Sequence, residues 1–127
     1  MATTTRSTDF VALGQPGNDR YAGLETFANP GVARVELDGD ELTAVCPVTN
    51  QPDLYRARIA YEPDRLCLES KSVKLYFSSF RNEGVFAEAL AVRIRDDVAA
   101  ALALDAARVH VTLVQKARGG ITITAEV

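Results

Sequence analysis

The sequence predicts an α+β domain: a mainly antiparallel sheet with two helices on one face, in the order β-β-α-α-β-β. Three observations predict it. Residues Tyr55 to Tyr61 alternate with period two, with Tyr55, Ala57, Ile59 and Tyr61 on one side and Arg56, Arg58 and Ala60 on the other. A second pair of alternating runs closes the chain, at Val109, Val111 and Leu113 and again at Ile121, Ile123 and Ala125. Between these strands lies a stripe at helical spacing, Phe86, Leu90, Ile94, Val98, Ala101 and Leu102.

Taken in order, residues 1–20 are polar and punctuated by Gly14, Pro16 and Gly17, with too few apolar side chains to offset ordering entropy. They read as a flexible N-terminal arm, and residues 21–127 as a single domain. Leu24, Phe27 and Pro30 begin the ordered part. Val32, Val35 and Leu37 suggest a first strand, and Asp38-Gly39-Asp40 reads as a turn. Pro47 and Pro52 cannot donate backbone hydrogen bonds, so the segment between them is a loop or a strand edge. Glu62-Pro63-Asp64 ends the second strand.

Ser70 to Phe80 forms a short helix through Val73, Phe77 and Phe80. Asn82-Glu83-Gly84 interrupts, and Asn82 reads as a cap for the long helix from about Val85 to Leu104. His110 and Thr112 sit on the polar side of the third strand. Arg118-Gly119-Gly120 turns the chain into the last one. One such layer leaves its sheet edges open, and association between subunits is one way to close them.

The bulk properties narrow the function. The chain has 127 residues, 47% hydrophobic and 24% charged, which is ordinary for one globular domain. A formal net charge of -3 argues against nonspecific binding to nucleic acid or acidic membranes, which needs a cationic surplus. Two cysteines, Cys46 and Cys67, are too few for a disulfide scaffold. The N-terminus lacks the apolar run of a secretion signal, so a cytoplasmic protein with free thiols is expected. One histidine and two distant cysteines give no metal-ligand pattern.

Several residues carry potential chemistry. Cys46 lies in a polar loop and becomes nucleophilic only as a thiolate. Asp53, seven residues on, would stand near that sulfur as a proton carrier if the loop folds back. A lone cysteine is more often a small buried hydrophobe, and Cys67, between Leu66 and Leu68, reads that way. Lys71 and Lys74 share a helix face. With Ser70 and Ser72 near free N-terminal N–H groups they make a phosphate-binding pattern, or simply a solvated face. Arg118 presents a cation from a Gly-rich turn, or marks a plain hairpin. Glu88, at the start of the long helix, suits the helix dipole or accepts hydrogen bonds from a donor-rich heterocycle.

Read together and in order, these runs resemble one family. Cys46-Pro47-Val48-Thr49-Asn50-Gln51-Pro52-Asp53, then Glu69-Ser70-Lys71-Ser72-Val73-Lys74-Leu75-Tyr76, then Phe80-Arg81-Asn82, then Arg118-Gly119-Gly120-Ile121 is similar to the short, single-domain form of the queuosine-pathway nitrile reductases, the QueF family. The resemblance spans about residues 24 to 125. It implies the tunnelling fold, and rings of five subunits that stack into decamers with active sites between subunits. It also implies reduction of the nitrile of 7-cyano-7-deazaguanine to an aminomethyl group with NADPH.

Carried over by position, Cys46 would form a covalent thioimide and Asp53 would move protons. Glu88, with Glu69 and Ser70, would bind the base. Lys71, Ser72, Lys74 and Arg118 would hold NADPH. Two positions depart from the family pattern: Glu83 and Ala87 stand where it has histidines. Ala117 also replaces a proline. The alternatives are an archaeosine-type relative that lets ammonia attack the thioimide, giving an amidine on tRNA, and a noncatalytic deazaguanine-binding protein. A tunnelling-fold enzyme acting on a pterin is a further alternative, though its relatives lack this Cys/Asp spacing.

Overall fold

The computed structural model describes residues 3–4 and 20–127. Most of the expected N-terminal arm therefore lies outside the described residues. The strands are β1 (Thr3–Thr4), β2 (Glu25–Ala28), β3 (Val35–Val45), β4 (Pro52–Tyr61), β5 (Leu66–Leu68), β6 (Val109–Arg118) and β7 (Ile121–Glu126). Two helices, α1 (Ser70–Ser78) and α2 (Ala87–Leu102), separate β5 from β6. The main sheet runs β3-β4-β6-β7 and is antiparallel throughout.

The core lies on one face of that sheet. Tyr55, Ala57, Ile59 and Tyr61 of β4 and Val109, Val111 and Leu113 of β6 are buried, and Leu90, Ile94, Val98 and Leu102 of α2 join the same cluster. The opposite face carries Arg56 and Arg58, which pair with Asp38 and Glu36 across the β3–β4 ladder. One apolar and one charged face is the pattern period-two alternation demands.

Three expectations change. Asp38-Gly39-Asp40 is not a turn. β3 runs through it, and the register slips from Gly39↔Ala57 to Leu42↔Tyr55, so one extra residue sits on β3. This bulge resets the alternation. Before it, odd-numbered Val35 and Leu37 pack on the core; after it, even-numbered Leu42 and Ala44 are fully buried. An Asp-Gly pair marks either a hairpin or a bulge, and the parity change shows which.

Asn82 does not cap the long helix. Residues 83–85 are extended instead: Val45 N–H donates to the Glu83 carbonyl at 3.0 Å and Val85 N–H to the Val45 carbonyl at 3.1 Å. Gly84 allows this crossing, because a Cβ there would lie 3.3 Å from the Pro47 Cα. α2 therefore starts only at Ala87, with Phe86 as a cap residue that has no side-chain capping bond.

Third, the chain has a second, small sheet, β1-β2-β5. β5 is three residues long, too short for periodicity to show. It pairs antiparallel with β2, and Tyr61 Oη accepts from Leu68 N–H at 2.8 Å.

Candidate active site

The loop from Cys46 to Gln51 turns β3 into β4. Cys46 N–H donates to the Gln51 carbonyl at 2.8 Å and Asn50 N–H to the Cys46 carbonyl at 2.9 Å. Asn50 takes a left-handed φ of 59°, which asparagine tolerates better than most residues. The tight loop returns the chain so that Asp53, on β4 and paired in register with Ala44, comes back towards Cys46. Both line a cavity of about 650 Å³, together with Gln51, Phe86, Glu88, Gln115 and Arg118 among others.

The thiol is tuned by this loop. A hydrogen bond from the Thr49 hydroxyl, then bonds from the Thr49 and Val48 backbone, stabilise the thiolate against a small opposing burial effect, and Arg118 adds to them. The Cys46 pKa falls to about 7, which raises the share of thiolate at neutral pH above that of an ordinary cysteine. Cys67 behaves in the opposite way. It is buried on β5, and burial pushes its thiol up.

Asp53 is 4% exposed. Arg118, from the end of β6, donates a short hydrogen bond to its carboxylate and further bonds to Gln51 Oε1 and to Thr49 Oγ1. The hairpin that delivers this guanidinium needs Gly119 and Gly120, both at positive φ (58° and 80°). One cation thus ties the nucleophile's loop to the buried acid. Glu88 is solvent-exposed in the first turn of α2 and faces the same cavity. Ala87 beside it is buried and brings no imidazole.

The second group of expected residues lies elsewhere. Glu69 is buried and caps α1: its carboxylate accepts from Lys71 N–H at 2.6 Å and Ser72 N–H at 2.8 Å. The N-terminal N–H groups expected to be free for an anion are therefore occupied, because a buried carboxylate one residue before the helix reaches them first. Ser72 is buried too. Its hydroxyl donates to the Glu69 carbonyl at 2.7 Å and accepts from Glu25 N–H at 3.0 Å. Lys71 is half-buried and Lys74 exposed. Ser70 and Lys74 line a different cavity, of about 500 Å³, against Asp38, Gly39, Asp40 and Glu41.

Glu83 is held by Arg93 of α2, whose guanidinium also lies 4.9 Å from the centre of the Phe80 ring. It does not line the Cys46 cavity. His110 is exposed on the charged side of β6. Phe86, expected in the apolar stripe, is 57% exposed and forms part of the cavity wall.

Sequence reasoning did not single out Thr49, Gln51, Tyr55 or Gln115 as site residues. For Gln115 a signal existed. It follows Val111 and Leu113 on the inward side of β6, where a polar side chain is out of pattern.

An antiparallel α+β domain whose cavity of ligand size is lined by both an acidified thiol and a buried carboxylate defines the class of protein. The comparisons narrow it. The sequence model of the family described as "QueF-like protein" matches residues 52–127. The NADPH-dependent 7-cyano-7-deazaguanine reductase of Frankia casuarinae is 45% identical over 114 residues, covering 89% of this chain and 90% of that protein. The same-named protein of Anaeromyxobacter sp. strain K is 49% identical over 92 residues, or 70% and 72% of the two chains. Among solved structures, the apo form of the archaeosine synthase QueF-Like aligns with a TM-score of 0.68 at 23% identity, covering 76% of this chain and 93% of that one. That likeness is one of fold. The chain belongs to the QueF family, and its fold is the tunnelling fold.

Proposed function

We propose that this chain reduces the nitrile of 7-cyano-7-deazaguanine to 7-aminomethyl-7-deazaguanine, with NADPH as reductant and a covalent thioimide at Cys46. The observation that carries this is that the Cys46 thiol, its pKa lowered to about 7, lines one cavity with the buried Asp53. A thiolate suits an electrophilic nitrile. The Cys46 sulfur bonds to the nitrile carbon, one π pair of the C≡N bond moves to nitrogen, and nitrogen takes up a proton. Asp53 is the acid–base group placed to pass that proton. Glu88 accepts hydrogen bonds from the N–H groups of the base, and burial of the ligand among Phe86, Ile121 and Ile123 excludes water.

Reaching the amine takes up four electrons, the content of two hydrides, which NADPH supplies when bound. Lys71 and Lys74 are the cations that would meet its phosphates. They fit as side-chain cations, since the helix N–H groups beneath them are occupied by Glu69. In one chain these lysines do not line the Cys46 cavity. A homo-oligomer, pentamer or decamer, would bring α1 of one subunit to the Cys46 cavity of the next. Ile121, 68% exposed on the edge strand β7, is apolar surface available for such a contact. Glu69 and Ser70 would then approach the base from across the interface.

The test is intact-protein mass after mixing with 7-cyano-7-deazaguanine, wild type beside Cys46→Ala, followed by NADPH or ammonium in separate tubes. A Cys46-dependent adduct that NADPH discharges to the amine is expected. Discharge by ammonium alone would replace reduction with amidine formation. Ligand binding without any adduct would leave a noncatalytic deazaguanine-binding protein.

A further inference from the structure

Two buried polar side chains, one lining the cavity and one paired with it in the sheet behind, take no part in the chemistry above. Gln115 is 8% exposed and lines the cavity, and its carboxamide makes no hydrogen bond to another described residue. Opposite it in the β4–β6 register stands Tyr55. The Tyr55 ring is fully buried, and its hydroxyl has no hydrogen-bond partner among the described residues. Directly opposed residues of an antiparallel pair project from the same sheet face. A buried hydroxyl without a partner thus stands beside a carboxamide that opens on the cavity, and neither is hydrogen-bonded to another described residue. Unpaired buried groups cost stability, and a site that keeps them has a use for them when filled.

The chemistry of the two groups fixes that use. A carboxamide offers an acceptor oxygen and a donor nitrogen. The Tyr55 phenol holds its proton: burial, and the negative charges of Asp53, Glu88 and Cys46, push its pKa up to about 12. When the carboxamide turns its Oε1 to the Tyr55 O–H, the hydroxyl is satisfied and the Nε2–H groups face the cavity. Among the other described side chains of the cavity, Gln51 keeps a free Nε2 but is solvent-exposed, whereas Gln115 is buried. Asp53 and Glu88 are acceptors, and the Arg118 guanidinium is committed to Asp53, Gln51 and Thr49. The lactam edge of a fused-ring base carries N–H donors beside a ring carbonyl. Glu88 answers the donors, and within one chain the buried donor facing the cavity that could answer the carbonyl is Gln115.

We infer that Gln115 is a specificity-determining residue that donates to the ring carbonyl of the bound base, and that Tyr55 is the positioning residue that sets its amide. This rests on the reading of the cavity as a deazaguanine site.

The test compares equilibrium binding of two ligands that lack a nitrile, 7-deazaguanine and 2,6-diamino-7-deazapurine, to the full chain. The second replaces the carbonyl with an amino group. Wild type prefers the carbonyl ligand. Gln115→Glu, which cannot donate, shrinks that preference by about tenfold or more, the usual scale of one lost buried hydrogen bond. Gln115→Met, which keeps the length and removes donor and acceptor alike, shrinks it too, and serves if the charged variant fails to fold. Tyr55→Phe weakens 7-deazaguanine several-fold and leaves the diamino ligand nearly unchanged. The ratio of the two affinities is the readout, because a merely loosened cavity weakens both ligands together. An unchanged ratio in the Gln115 variants would overturn this inference and leave the proposed function standing. Failure of wild type to bind 7-deazaguanine at all would overturn both.

Discussion

The loop at Cys46 and the start of α1 carry equally polar sequence, and the fold treats them in opposite ways. At the loop, Thr49 and Arg118 act on the Cys46 thiol from within the same chain, and the thiol stays open to a cavity. At α1, Glu69 and Ser72 bond to the helix end and to β2, so their polar atoms serve the fold, while Lys71 and Lys74 keep their charges free. One motif thus contains residues of both kinds, and only hydrogen-bond partners tell them apart. Cys46, Asp53, Glu88 and Arg118 line one cavity within a single chain, whereas Ser70 and Lys74 line another.

That difference is broken most directly at the lysines. Replacing Lys71 and Lys74 together by alanine raises the KM for NADPH by about ten- to a hundredfold, the scale of one or two lost charge-assisted contacts. Adduct formation with 7-cyano-7-deazaguanine, followed by mass without reductant, keeps its rate. A parallel loss of adduct would show that the two halves are not separable. The matching change at the loop is Thr49→Val. Below its pKa Cys46 is a neutral thiol, and above it a thiolate. Removing the largest stabilising bond moves the midpoint up from about 7 towards the ordinary thiol range near 8.5. Iodoacetamide labelling at pH 7 therefore slows several-fold and recovers as the pH is raised. A midpoint unmoved in Thr49→Val would assign the shift to Arg118 and the backbone instead.

How much of this was legible in sequence follows the same division. The alternation of β4 and β6 and the stripe of α2 are repeated several times over, so the sheet, its buried face and the helix above it follow from pattern. Cys46, Asp53, Glu88 and Arg118 meet at one cavity because each stands at the end of a patterned element or on the loop joining two of them. The misread parts are single residues whose meaning depends on a distant partner. Asp38-Gly39-Asp40 looks like a turn until β4 is laid beside it and the register slips. Asn82 looks like a cap until residues 83–85 are drawn off to pair with Val45. Glu69 is a different case: the resemblance sets it near a ligand, and its capping of the α1 N-terminus is a further, tertiary role that the sequence does not show. Tyr55 sat in the right pattern for core, and nothing in that pattern says that its hydroxyl lacks a partner.

Glu83 gives the smallest and most discriminating case, since the resemblance leads one to expect a histidine there. Its carboxylate pairs with Arg93, and the two side chains remain 39% and 49% exposed. An ion pair so open to water contributes about 1 kcal/mol or less. Glu83→Gln should therefore lower the melting temperature by no more than a few degrees, and the difference should shrink in about 1 M salt, where the screening length falls to about 3 Å. Arg93→Ala should cost more, because that guanidinium also covers the Phe80 ring, which in turn packs edge-on against Tyr76 at 4.9 Å. Since Glu83 does not line the cavity, neither change should alter the labelling midpoint of Cys46 or the rate of adduct formation. A salt-insensitive loss of adduct in Glu83→Gln with unchanged melting would place the carboxylate in the chemistry. The ion pair with Arg93 ties the segment before α2 to the helix instead, outside the Cys46 cavity.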